Sequence, residues 1–227
     1  PVFTSAKGAY SEPVAEHAVA LAQALLREFA PKARAAQWQP TRTGRSLYGL
    51  RVVIVGAGGI AAEIIRLLQP YRVHITVVRR TEAPMAGVDR TVTADVLLDV
   101  LPAADVLILA AASTESSRHL IGRAELAALP AGAALVNIAR GALVDHDALA
   151  DALAHKHLAG AGLDVTTPEP LDDDHRLWNE PRCLITSHSA DTPEMTAPLL
   201  AGRITENVRG FLDDGRFVGV VDTAAGY

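Results

Sequence analysis

The sequence predicts a doubly wound α/β domain built on a parallel sheet, and three observations carry the prediction. Several short runs, among them RVVIV at 51–55, HITVV at 74–78 and AALVNIA at 133–139, are apolar throughout rather than alternating. Strands of that kind belong to parallel sheets buried on both faces. Helical segments separate the runs at short intervals, as successive strand–helix–strand units require. Glycines then cluster at one strand-to-helix junction, at Gly56, Gly58 and Gly59.

Residues 13–30 (PVAEHAVALAQALLREFA) read as the first helix. Pro13 has the fixed φ that suits a first turn, and Ser11 is placed as the N-cap. Val14, His17–Ala18, Leu21, Leu25 and Phe29 recur at helical spacing on more than one stripe, which predicts burial on two sides or in a subunit contact. Pro31 to Tyr48, with its charges, Trp38, Pro40 and Gly44, reads as surface loop. Further helices are IAAEIIRLLQP, stopped near Pro70, a short one at 95–102 (DVLLDVLP), AELAALP, and DHDALADALAHKH with Asp145 as N-cap. Strands ADVLILAAA at 104–112, LAGAGLDV at 158–165 and RCLITS at 182–187 complete the sheet. Thr192-Pro193-Glu194 announces a last helix over 193–214.

The chain has 227 residues, 49% hydrophobic and 21% charged, enough for a buried core in one large domain or two small ones. A formal net charge of −5 gives no general attraction to nucleic acid or to an anionic membrane. Aromatics at 4% argue against a stacking platform for single strands. The single Cys183 excludes an internal disulfide framework and a cysteine-based zinc cluster, and it reads as a small core residue. No HxxE or HExxH spacing suggests a metal, and His155 and His157 read as a solvated helix end. No apolar run reaches the roughly 18 residues of a membrane span, and no cleavable leader opens the chain. The expected class is a soluble, cytoplasmic globular protein. The opening PVFTSAKGAY reads as the end of a strand and a turn that another segment should precede.

Gly56-Ala57-Gly58-Gly59-Ile60-Ala61 follows one strand and opens a helix. In a G-x-G-x-x-A loop the first glycine makes the tight turn and the second lets the backbone approach a pyrophosphate. A small third residue lets helix pack on strand, and the helix N-terminus faces the phosphates. The flanking strand and helix are the context that turns a weak glycine pattern into a dinucleotide site. An acidic residue about 20 positions on would bond the adenosine ribose; Arg79 and Arg80 stand there instead. A guanidinium suits a 2′-phosphate by charge and fork geometry, so the pair favours NADPH, with NADH the alternative and a solvated charge pair the competing reading.

Open α/β sheets bind ligands outside the carboxyl ends of their strands. Arg140 follows one strand, Asp164 closes the next with Glu169 just beyond, and His188 follows the last. Each alone has a plain reading: a helix-capping or surface arginine, an exposed turn glutamate, a loop histidine. Together they match what ketone reduction needs. A fixed cation holds a substrate carboxylate, an imidazole gives a proton as hydride arrives at carbon, and a carboxylate orients that imidazole and favours its charged form.

With VAEHAVAL at 14–21, VGAGGIA at 55–61, LVNIARGALVD at 135–145, GLDVTTPEPL at 162–171, LW at 177–178 and ITSHSA at 185–190, nearly the whole chain resembles the D-isomer-specific 2-hydroxyacid dehydrogenase family, which includes glyoxylate/hydroxypyruvate reductases and phosphoglycerate dehydrogenase-like proteins. The resemblance implies a Rossmann-like fold and NAD(P)H-dependent reduction of a small 2-oxo acid to the D-2-hydroxy acid. It implies Arg140 as the substrate-binding arginine, Glu169 as the acid partner and His188 as the proton donor. Asp164 would bond the nicotinamide carboxamide, Gly56, Gly58, Gly59 and Ile60 the pyrophosphate, and Ser117, Ala139 and Ser189 would join Arg79 and Arg80 in contacting cofactor. Segment 1–48 would hold an inter-lobe helix and help build a homodimer, 49–190 would be the dinucleotide-binding domain, and 191–227 a return helix and remnant of a substrate lobe whose bulk lies in an N-terminal segment. Formate dehydrogenases, a neighbouring branch, carry Gln where Glu169 stands. Departures from the family pattern are Ala61 for the third glycine, Ser187 for the proline before the proton donor, and Ala112 for a proline after the fourth strand. A rival reading on the same fold is an NAD(H)-sensing corepressor, which keeps the Arg–Glu–His set and differs in having no turnover.

Overall fold

The computed structural model describes residues 2–6, 8–221 and 223. Its strands are β1 (Arg51–Val55), β2 (His74–Val78), β3 (Arg90–Val92), β4 (Val106–Leu109), β5 (Ala134–Asn137), β6 (Gly160–Leu163) and β7 (Cys183–Ile185). They form one seven-stranded sheet in the order β3-β2-β1-β4-β5-β6-β7, every pair parallel. The helices are α1 (Ser11–Leu26), α2 (Phe29–Ala33), α3 (Gly59–Leu68), α4 (Leu97–Val100), α5 (Arg123–Ala128), α6 (His146–Ala154) and α7 (Pro193–Asp213). This is the doubly wound, Rossmann-like architecture expected of strands with no polar face.

The reason for the continuous apolar runs is visible in how each strand divides its residues. Val52 and Ile54 of β1 join Ile75, Val77, Val106 and Ile108 in a core beneath α1 and α3. Val53 and Val55 point the other way, to Leu107, Leu109 and Leu135 beneath α4, α5 and α6. Side chains alternate across a strand, so a sheet with helices on both sides requires apolar residues at both parities. Each fully buried aliphatic side chain contributes about 1.5–3 kcal/mol. α1 is apolar on more than one stripe because Val14, Ala15, Ala18, Leu21, Ala22 and Leu25 are buried between α3 and the sheet near β5 and β6.

Several expected boundaries shift. Helix α1 starts two residues early: Tyr10 occupies the N-cap, and Ser11 lies inside the helix with its hydroxyl packed beside Gly59 and making no cap bond. The 31–48 loop gains α2, five residues across Pro31. The 95–102 helix is one turn of α-helix, α4, between two 3₁₀ turns. β4, β5, β6 and β7 are shorter than their apolar runs, whose ends continue as loops toward the sheet edge. Asp145 does cap α6, accepting the Ala148 N–H at 3.0 Å, and Thr192 caps α7. Near the chain ends, Thr4 and Val220 form an antiparallel bridge. No helix among the described residues is long and apolar enough to cross a membrane, and no metal-ligating cluster occurs among them.

Candidate active site

Chain order reverses between β1 and β4, whose onward connections run to opposite sides, β1 to β2 and β4 to β5. Such a switch point opens a crevice above the carboxyl ends of the two strands, and the glycine loop sits there. Gly56 takes φ +116° and donates its N–H to the Val78 carbonyl at 2.8 Å. A Cβ at Gly56 would lie 2.4 Å from the Ala110 carbonyl oxygen, so both the turn and its fit against the end of β4 require glycine. Gly58 is exposed and caps α3 with nothing within 4 Å of a Cβ position. An exposed glycine cap at a helix N-terminus suits a bound pyrophosphate. Arg79 and Arg80 follow β2, whose end pairs with the end of β1. Arg79 is half-buried and bonds the Ala83 carbonyl, and Arg80 is exposed.

Beyond the switch point, β5, β6 and β7 end in register, with Asn137 beside Leu163 and Leu163 beside Ile185. Arg140 is exposed three residues past Asn137. Asn137 is fully buried, and its amide clamps this turn: Oδ1 accepts the Ala139 N–H at 3.1 Å and Nδ2 donates to the Arg140 carbonyl at 3.0 Å. Gly141 follows, packed so closely that a Cβ would fall 1.9 Å from the Thr166 carbonyl oxygen. That contact holds the Arg140 loop against the loop leading to Glu169. Sequence reading passed over Asn137, although a polar residue inside LVNIA was the available signal.

Asp164, 2% exposed, performs the same service for the next loop. Oδ1 accepts the Thr186 hydroxyl at 2.6 Å and the Ser189 N–H at 2.9 Å, Oδ2 accepts the Ala190 N–H at 3.2 Å, and the Asp164 carbonyl accepts the His188 N–H at 2.8 Å. The carboxylate thus anchors residues 186–190, on which His188 adopts φ +50°, a left-handed conformation that a non-glycine residue holds only when its surroundings impose it. In that position His188 Nδ1 meets Glu169 Oε1 at 2.5 Å, with both side chains nearly half exposed. Glu169 and His188 are in direct contact, and Arg140 emerges from the adjacent strand on the same edge. The Ser117 hydroxyl closes its own 3₁₀ turn, accepting the Thr114 N–H at 2.7 Å.

The arrangement pairs a dinucleotide cradle with an imidazole–carboxylate couple and a guanidinium on one sheet edge, a constellation suited to moving a proton next to a bound nicotinamide. Residues 17–190 match the model of the D-isomer specific 2-hydroxyacid dehydrogenase, NAD binding domain. The chain is 33% identical over 230 residues to an uncharacterized protein in the proB 3′ region of Corynebacterium melassecola, covering 99% of this chain and 76% of that one. It is 33% identical over 191 residues to 4-methyl-2-oxopentanoate reductase A of Aspergillus oryzae, covering 83% of this chain and 57% of the relative. The fold superposes on a D-isomer specific 2-hydroxyacid dehydrogenase of Xanthobacter autotrophicus Py2, crystallised with NADPH and MES, with TM-score 0.85 and 28% identity over 100% of this chain and 94% of that one. The chain belongs to the D-isomer-specific 2-hydroxyacid dehydrogenases, oxidoreductases that act on CH–OH groups, and carries their NAD(P)-binding domain.

Proposed function

We propose that the protein reduces a small 2-oxo acid of the glyoxylate or hydroxypyruvate kind to the D-2-hydroxy acid, with NADPH preferred to NADH. The observation that carries this reading is the 2.5 Å His188–Glu169 contact on the sheet edge that also bears the glycine loop. Bound NAD(P)H supplies the hydride. With Nδ1 turned to Glu169, His188 presents Nε2 outward, and its N–H can pass a proton to the carbonyl oxygen as negative charge develops there. Arg140 binds the substrate carboxylate as a fixed cation. Glu169 holds the ring in one orientation, and Arg79 with Arg80 meets the 2′-phosphate. A homodimer, with segment 1–48 in the contact, belongs to the same reading.

General acid help of this kind contributes about 10²–10⁴ in rate. His188→Ala should therefore lower turnover of a 2-oxo acid by at least that range while the NADPH dissociation constant stays within about twofold. Unchanged turnover rejects the assignment. Arg79→Asp should reverse the NADPH over NADH preference in a titration, and equal affinities in the parent protein defeat the NADPH preference.

A further inference from the structure

His17 lies on α1, far in sequence from the strand-end residues, and reading the sequence gives it no role beyond the helix pattern. In the fold its Nε2 stands 3.0 Å from the Thr186 hydroxyl and 3.5 Å from Asp164 Oδ1. The Thr186 hydroxyl has one proton, and the 2.6 Å bond to Asp164 Oδ1 uses it, since a carboxylate can only accept. Thr186 must therefore accept from His17, which fixes the proton on His17 Nε2. No lysine or arginine among the described residues forms an ion pair with Asp164. Its buried carboxylate is met by two backbone N–H groups, the Thr186 hydroxyl and the His17 ring edge.

We propose that His17 is a positioning residue: through Thr186 and Asp164 it locks the 186–190 loop and so sets the reach of His188 toward Glu169. The chain of bonds is continuous. His17 fixes Thr186, Thr186 and Asp164 share a proton, and Asp164 holds the main chain at His188, Ser189 and Ala190. The donor is on the helix, so the geometry of the imidazole–carboxylate couple depends on how α1 sits over the sheet. This inference rests on the proposed role of His188 and adds a residue that acts through Thr186 and Asp164.

The test uses the whole protein with two substitutions. His17→Ala removes the donor; His17→Gln offers an amide N–H of similar reach. Loss of one such hydrogen bond is worth about tenfold in the property it supports. His17→Ala should lower kcat about tenfold, and His17→Gln should return kcat to within about threefold of the parent. Independently of turnover, the His188 ring N–H resonance, assigned in ¹⁵N-histidine-labelled protein by its disappearance in His188→Gln, should shift or broaden in His17→Ala and return in His17→Gln. A resonance unmoved in His17→Ala, or equally displaced in both variants, overturns the proposal, as does an unchanged kcat in His17→Ala. A parent protein that turns over no 2-oxo acid ends the proposed function, and the resonance then decides His17 by itself.

Discussion

His146 opens α6 with 7% of its surface exposed and its Nε2 buried without a hydrogen-bond partner. Burial, reinforced by His175 and then His119, pushes its pKa down from 6.5 to about 4; the His175 ring stands edge-on to it with centroids 6.3 Å apart. Between those two pH values the unfolded chain binds a proton at this ring and the folded chain does not. The contribution of neutral His146 is therefore whole above pH ~6.5 and is lost as pH falls toward about 4. An interval of about 2.5 units at about 1.4 kcal/mol per unit sets the loss at about 3 kcal/mol. His146→Leu removes the titrating ring and its unpaired nitrogen while keeping an apolar side chain in the core. Urea unfolding of parent and variant at about pH 7 and about pH 4 isolates the term, because the carboxylates titrate in both proteins and cancel in the difference. The parent should lose about 3 kcal/mol more than the variant on acidification. Parallel stability profiles would refute the assignment of a buried neutral imidazole.

Two further outcomes follow from the same kind of reasoning. Asn137→Ala removes the Asn137 bonds that shape the Arg140 turn; the Arg140 carbonyl keeps the Leu143 N–H at 3.2 Å, so the Ala139 N–H is the group left stranded, a loss of about 1–3 kcal/mol. Steady-state kinetics should give a KM for the 2-oxo acid raised about tenfold with NADPH affinity unchanged, and calorimetry a Tm lowered by several degrees. Cys183 is 5% exposed, and burial, with Glu180 nearby, pushes its thiol up to about 12. It should react with a thiol reagent only as fast as the protein opens, and rapid stoichiometric labelling of the native state would contradict that.

The sheet was legible because its strands sort their side chains into two cores. A run such as RVVIV admits no amphipathic reading, and β1 and β2 stand where their runs begin and end. β3 escaped notice since Arg90-Thr91-Val92 is an edge strand of three residues, too short to show a period. The strands from β4 onward are shorter than their runs because the sheet stops where loops must turn toward the crevice: Ala110, apolar and next to β4, already serves the Gly56 turn. Ser11 was misplaced for a tertiary reason. Propensity favours it as a cap, but its side chain packs beside Gly59 and the helix extends past it. Arg140, Glu169 and His188 were legible as polar residues in the loops that follow apolar strands. Asn137, Thr186 and His17 were not, because their role lies in bonds to backbone and to each other, which leave no spacing rule in the chain.

Those hidden residues explain how the exposed Arg140, Glu169 and His188 are kept in place. Arg140, Glu169 and His188 face solvent, where side-chain bonds alone are weak restraints. Their loops are tied instead to polar side chains set among the apolar strand ends, Asn137 fully buried and Asp164 2% exposed. Swinging either loop away leaves a buried amide or carboxylate without partners, at about 1–3 kcal/mol for a neutral group and more for a charged one. A loop pinned by Asp164 through four separate contacts at Thr186, His188, Ser189 and Ala190 must break them together to move. The strained φ of His188 persists for that reason, and so does the 2.5 Å contact with Glu169. The same logic predicts an order of sensitivity: replacing Asp164 should disturb His188 more than replacing Thr186, and Thr186 more than His17, since each successive residue holds fewer of the shared bonds.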